Sequence, residues 1–203
     1  MTPNTVFRRL AAISAVLCFC LCVFSTRAHA QEPVYVQLTT NKGNIVLELD
    51  PKDAPVSVEN FLKYVKRGVY DGTIFHRVID GFMIQGGGFD ANFEKRPTDT
   101  AIRNEADNGL KNTMYTIAMA RTMDPHSATN QFFINVNNNG FLDHTSKTAT
   151  GWGYAVFGKV IKGQNVVDAI KSVPTTSKGP YNDVPVDPVI LEKAEVIANP
   201  SAS

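Results

Sequence analysis

The sequence predicts a mainly β protein, a closed barrel of eight strands with an α-helix over each open end. Three observations carry that expectation. Eight short β-rich runs are spread along the chain, with Gly, Asn, Asp or Pro clusters between them. Two further stretches have helical apolar spacing. No repeat, charge block or interdomain linker divides the chain, so one domain over residues 31–203 is expected.

The elements follow in order. Tyr35 to Asp50 reads as two strands around the turn Asn41-Lys42-Gly43-Asn44, with Ile45, Leu47 and Leu49 alternating with Val46, Glu48 and Asp50. Asp53-Ala54-Pro55 opens a helix, with Asp53 as the expected cap and Pro55 tolerated in the first turn. Val58, Phe61, Leu62 and Val65 line one face of it, and Gly68 ends it. The remaining strands are expected at Thr73–Ile79, Phe82–Gln85, Met114–Ala120, Gln131–Val136, Ala155–Ile161 and Val189–Ile197. A second helix is expected from Gln164 to Val173, with Val166, Val167, Ile170 and Val173 as its apolar set. Pro174 to Pro188, with four prolines and one glycine, reads as an ordered surface loop.

The first thirty residues are of another kind. Arg8 and Arg9 lead into an apolar run from Leu10 to Phe24, broken only by Ser14. That run falls short of the roughly 18 residues a spanning helix needs. Ala28-His29-Ala30 follows, and a basic start, short apolar run and small-x-small site together predict a secretory signal peptide cut after Ala30. The general secretory route is favoured over twin-arginine export, because little beyond the arginine pair speaks for the latter. Cleavage would remove Cys18, Cys20 and Cys22, leaving no disulfide, thiol nucleophile or cysteine metal ligand.

Composition excludes several functions. Of 203 residues 43% are hydrophobic and 19% charged, which is ordinary for a globular chain and wrong for a disordered one. Losing Arg8, Arg9 and Arg27 takes the basic count from 20 to 17 against 19 acidic residues, a formal charge of −2. A nucleic-acid partner is therefore not expected. Stable membrane association after cleavage is not expected either, and a monomer is. His76, His126 and His144 show no metal-ligand spacing, and no G-x-S-x-G elbow is present. Gly86-Gly87-Gly88 lacks the spacing of a phosphate cradle and no helix pattern follows it. His144 beside Asp143 reads as a solvated pair. No metal and no cofactor is expected.

The informative stretch runs from Phe75 to Gly87. Strict alternation would put Phe75, Arg77 and Ile79 on one side, with Phe82 and Ile84 opposite Met83 and Gln85 on the next strand. An arginine amid apolar residues is usually paired or at a rim. It either snorkels from a barrel edge or stands beside an apolar pocket formed by Phe82, Met83 and a second aromatic strand. Gln131-Phe132-Phe133-Ile134 supplies such a strand.

Five strings, FHRVIDGFMIQGG, TIAMAR (Thr116–Arg121), QFFIN (Gln131–Asn135), FLD (Phe141–Asp143) and VFGKV (Val156–Val160), resemble the cyclophilin family of peptidyl-prolyl cis-trans isomerases. The likeness covers nearly all of residues 31–203, in the family's order, and is greatest to the periplasmic cyclophilins of Gram-negative bacteria. It implies an eight-stranded antiparallel barrel capped by two helices, a periplasmic location, and proline-containing peptides or unfolded proteins as partners. It implies Arg77 as the catalytic arginine, and Phe82, Met83, Phe133 and Leu142 as the pocket for the proline ring. Gln85 and Gln131 would hold the substrate backbone and orient Arg77, while Ala120 and Arg121 would contact the residue before proline. Phe141 stands where many eukaryotic members have Trp, so weak cyclosporin binding is expected, and Tyr154 where many have His. Tyr115 stands where a glycine is usual, which means strain if the backbone there has positive φ.

The chemistry implied needs no nucleophile. Rotation about an X–Pro bond breaks only amide resonance, over a barrier of roughly 20 kcal/mol. A fixed guanidinium near the twisted nitrogen lowers that barrier without titrating. The alternative is a peptide-binding chaperone with the same groove and little turnover; the complete set of Arg77, Phe82, Gln85 and Phe133 favours the enzyme.

Overall fold

The computed structural model describes residues 32–200; the expected signal peptide lies outside the described residues. The chain folds into a closed antiparallel barrel of β1 (Val34–Thr40), β2 (Gly43–Leu49), β3 (Thr73–Ile79), β4 (Met83–Asp90), β5 (Thr116–Met119), β6 (Phe132–Asn135), β7 (Val156–Lys162) and β10 (Ile190–Ile197). Their order around the barrel is β1-β10-β3-β4-β6-β5-β7-β2. Helices α1 (Pro55–Lys66) and α2 (Gln164–Lys171) cover the two ends. β2 links them: it starts where Gly43 abuts Val166 of α2 and ends at the turn that enters α1.

The barrel is filled by inward residues at every second position. Val36, Leu38, Ile45, Leu47, Ile84, Ile117, Ile134 and Phe157 are buried there. Each such side chain contributes about 1.5–3 kcal/mol by leaving water. Phe61 of α1 closes one end with its ring 5.0 Å from Tyr70, 5.5 Å from Phe132 and 5.3 Å from Phe157. Val166, Val167 and Ile170 of α2 close the other.

Four local expectations are corrected. Asp53 does not cap α1; Asp50 Oδ1 holds the amides of Lys52 and Asp53 in a turn, and Ala54 is the cap position without a capping side chain. The free amides at the helix start go instead to Glu105, which accepts from Val56 N at 3.2 Å and Ser57 N at 2.8 Å. The strand expected at Phe82–Gln85 begins at Met83 and continues through the glycine run to Asp90. Those glycines serve packing: at Gly87 (φ +84°) a Cβ would lie 2.8 Å from Tyr70, and at Gly88 it would lie 2.6 Å from Gln131.

The segment Pro174–Pro188 is not a loop but a hairpin, β8 (Thr175–Lys178) and β9 (Tyr181–Pro185), outside the barrel. Its prolines sit at the hairpin's margins, where no ladder amide is required. Finally, alternation fails in β3. Phe75 pairs with Gly86 and Arg77 with Gln85, so β3 bulges between them. Phe75 therefore joins the barrel core, against Phe132, while Arg77 emerges on the outer wall near Ile79. A bulge has this effect because an extra residue reverses the facing of everything after it. Tyr115 does take positive φ, at +67°, held by its amide on Asn135 O and by its hydroxyl on Asp168 at 2.9 Å.

Candidate active site

Outside the barrel a second, smaller apolar cluster forms on β4, β5, β6 and β7. Met83, Ala118, Phe133, Leu142 and Val156 are its buried members, and Ile79, Phe82, Ala120 and Tyr154 pack against it. It exists because β6 places adjacent phenylalanines on opposite sides: Phe132 faces in and Phe133 faces out. Registers then align one row across four strand pairs. Arg77 is opposite Gln85, Gln85 opposite Phe133, Phe133 opposite Ala118, and Ala118 opposite Val156. Neighbours in such a row stand about 5 Å apart, so a cation, an amide and an aromatic ring follow one another along the wall.

The row opens into a cavity of about 130 Å³ lined by Arg77, Phe82, Met83, Gln85, Ala120, Arg121, Phe133, Leu142 and Tyr154. Nine of the residues expected from sequence thus meet in one place. Gln131 lies beside them, its Oε1 accepting from Gln85 Nε2 at 2.9 Å. Phe141 stands at the margin, 76% exposed, its ring stacked 5.6 Å from that of Phe82. The expected role of the glutamines toward Arg77 finds no hydrogen bond: the two amides bond each other, and the acid beside Arg77 is Asp183, with Oδ2 3.5 Å from Nε. A larger cleft of about 240 Å³ lies between β2, β5 and β7, where Glu48 is already paired with Lys159 at 3.0 Å.

Arg121 is held on the pocket's far side. Its Nε donates to Gly153 O and its Nη1 to Thr122 O, both at 2.9 Å, and its guanidinium lies 4.6 Å from the Tyr154 ring centre. Tyr154 in turn packs edge-on to Phe133 at 5.7 Å. Two of the guanidinium's three nitrogens are thus engaged, and Ala120 beside it borders the cavity.

Sequence reading missed what holds the walls. Asn112, Asn135 and Asn139 are buried and linked, Asn135 Nδ2 donating to Asn112 Oδ1 and Asn139 Nδ2 to Asn135 Oδ1. Asn112 also donates to the carbonyls of Leu142 and Tyr154, and Asn139 to that of Phe82. Three wall residues from three loops hang on one amide network. The only sequence signal was the abundance of asparagine between Asn135 and Asn139, which reads equally as turn chemistry. Asp143 belongs to this network, accepting from Asn112 N at 2.8 Å, whereas His144 turns to Trp152 O; they are not the solvated pair expected.

His76, next to Arg77, is buried against Phe89 with its Nδ1 lacking a partner. Burial first, and the neighbouring Arg77 charge second, lower its pKa from 6.5 to about 4. It is neutral at ordinary pH and is not among the residues that line the cavity.

A closed two-helix barrel with an arginine at the edge of an outer apolar pocket is a protein of the cyclophilin fold. Solved relatives share it: a cyclophilin-type peptidyl-prolyl cis-trans isomerase of Cryptosporidium parvum aligns with TM-score 0.67 and 27% identity over 83% of this chain and 99% of its own. Cyclophilin AquaCyp293 from Hirschia baltica aligns with TM-score 0.65 and 26% identity, over 82% and 75%. The family described as cyclophilin type peptidyl-prolyl cis-trans isomerase/CLD matches residues 35–196, and the chain belongs to this family of isomerases. Among curated relatives, peptidyl-prolyl cis-trans isomerase cyp18 of Streptomyces antibioticus is 63% identical, covering 80% of this chain and 98% of the relative. Peptidyl-prolyl cis-trans isomerase A of Dickeya dadantii is 52% identical, over 94% and 97%.

Proposed function

We propose that this chain accelerates rotation about X–Pro bonds in exported or unfolded proteins, with Arg77 as the catalytic group. The observation that carries this reading is the cross-strand row of Arg77, Gln85 and Phe133 at the mouth of an apolar cavity. A proline ring enters among Phe82, Met83, Phe133 and Leu142. Gln85, with Gln131 behind it, holds the peptide backbone on one side of the rotating bond, and the Ala120-Arg121 segment receives the residue before proline. Tyr154 fixes Arg121, and Phe141 extends the apolar rim.

As the amide twists, its nitrogen loses resonance, becomes pyramidal and gains basicity. The Arg77 guanidinium donates toward that lone pair, an interaction absent from the planar ground state, so it stabilises the transition state selectively. Arg77 stays charged throughout and transfers no proton. Arg77 is part-exposed, and a proline ring seated on the apolar walls would displace water from the guanidinium's cavity side.

We further propose that residues 1–30 are a secretory leader and that the released domain, residues 31–203, works as a monomer in the periplasm. The basic start, the short apolar run and Ala28-His29-Ala30 support this. No helix among the described residues is long and apolar enough to cross a membrane. The deciding experiment is NMR exchange spectroscopy on an Ala-Pro-containing peptide with the 31–203 chain and its Arg77→Ala variant. The expected result is rapid exchange with the parent and a loss of at least about a hundredfold with the variant, at unchanged melting temperature. Binding without accelerated exchange by the parent would make the protein a peptide-holding chaperone instead.

A further inference from the structure

We propose that Asp183 positions Arg77, an inference that rests on the catalytic reading of Arg77 given above. Asp183 Oδ2 lies 3.5 Å from Arg77 Nε, with the two side chains 40% and 43% exposed. A pair this open adds little to stability. Its placement is nevertheless one-sided: the nearest approach is at Nε and is longer than a hydrogen bond. The carboxylate thus stands as a fixed counter-charge beside the guanidinium without occupying its donors.

Two irregularities of the backbone produce this meeting. On β3 the bulge between Phe75 and Arg77 turns the arginine outward. On the hairpin, Thr176 pairs with Val184 but Lys178 pairs with Tyr181, so β9 carries one residue more than β8 across that stretch. Asp183 sits in this second bulge at φ +59°, a conformation that asparagine, aspartate and glycine tolerate best. Backbone demand alone would accept any of the three; only aspartate brings a charge.

The hairpin is also anchored to the strand it serves. Tyr181 packs its ring 5.3 Å from Phe89 and 5.1 Å from Phe93. Phe89 lies 4.8 Å from the ring of His76, the residue before Arg77, and Val184 is buried on the other flank of Asp183. The carboxylate is therefore presented from a braced support rather than from a free loop. A long, flexible side chain that must meet a transient lone pair gains from such bracing, because loss of alignment costs rate more than binding.

The test uses Asp183→Asn and Asp183→Gly, both suited to the positive φ, so the fold is kept. The readouts are kcat and KM from NMR exchange and line shapes, together with water exchange of the Arg77 Nε–H signal. We expect kcat to fall about five- to tenfold in Asp183→Gly and less in Asp183→Asn, with KM within about twofold and faster Nε–H exchange. A kcat within twofold of the parent in both variants overturns the proposal. So does a kcat loss with Nε–H exchange unchanged, since the effect would then not pass through Arg77. Failure of the underlying reading is a separate result: Arg77→Ala would retain turnover.

Discussion

Glu105 closes the amino end of α1 from 48 residues away: its Oε2 accepts from both the amide and the hydroxyl of Ser57 at 2.8 Å. The helix thus starts with Pro55 and no capping side chain of its own, yet three of its donors are satisfied by one buried carboxylate. Glu105→Ala should therefore destabilise the protein by about 2–3 kcal/mol, since it strands buried amides. Glu105→Gln, which still offers one acceptor, should cost about half. Urea denaturation midpoints measure both, and a loss under about 0.5 kcal/mol for Glu105→Ala would refute the capping role.

The asparagine network ties the cavity walls to one another. Asn112 bonds the backbone of Leu142 and Tyr154, two cavity walls from separate loops. Asn112→Ala is expected to lower stability by about 2–3 kcal/mol and to raise KM several-fold, because released loops widen the pocket. Stability loss with KM unchanged would show that the strands alone set the pocket.

His76 ties stability to pH. It titrates near 4 when folded and near 6.5 when unfolded, so on acidification the unfolded chain takes up the proton first. Its contribution is complete above about pH 6.5 and disappears progressively toward pH 4, about 3 kcal/mol in total. Denaturation at pH 7 and pH 4.5 should differ accordingly, and His76→Leu should remove most of that difference.

Catalysis should ignore the same titration. Arg77 does not lose its proton, and His76 is already neutral in the folded chain above its shifted pKa of about 4. We expect kcat/KM to vary by less than about twofold from roughly pH 6 to 9. A bell-shaped profile would call for a general acid or base that this mechanism does not contain.

Phe141 sets the reach of the rim. Exposed and stacked on Phe82, it offers an apolar surface without an indole N–H donor. Cyclosporin should inhibit weakly, and Phe141→Trp should strengthen inhibition about tenfold or more; no gain would mean that the rim does not limit the drug.

Much of the architecture could be read from residue order because it obeys local periods. Alternation in β2 and the facing of Phe132 and Phe133 follow from the two-residue pleat, and Val58, Phe61 and Val65 follow from the helical turn. The arginine, its apolar neighbours and the glutamines were legible as a motif. What holds them was not. The bulge before Arg77, the hairpin between Pro174 and Pro188, the Asn112 network and the cap from Glu105 each join segments far apart in the chain.

By itself, then, the order of residues determined the barrel, its two helices and which side chains could build a pocket. The tertiary structure decided that Arg77 points outward and that Asp183, more than a hundred residues later, stands beside it. The physical reason is range. Pleat and helical turn act over a few residues, whereas a register shift or an ion pair depends on which strands meet once the barrel has closed.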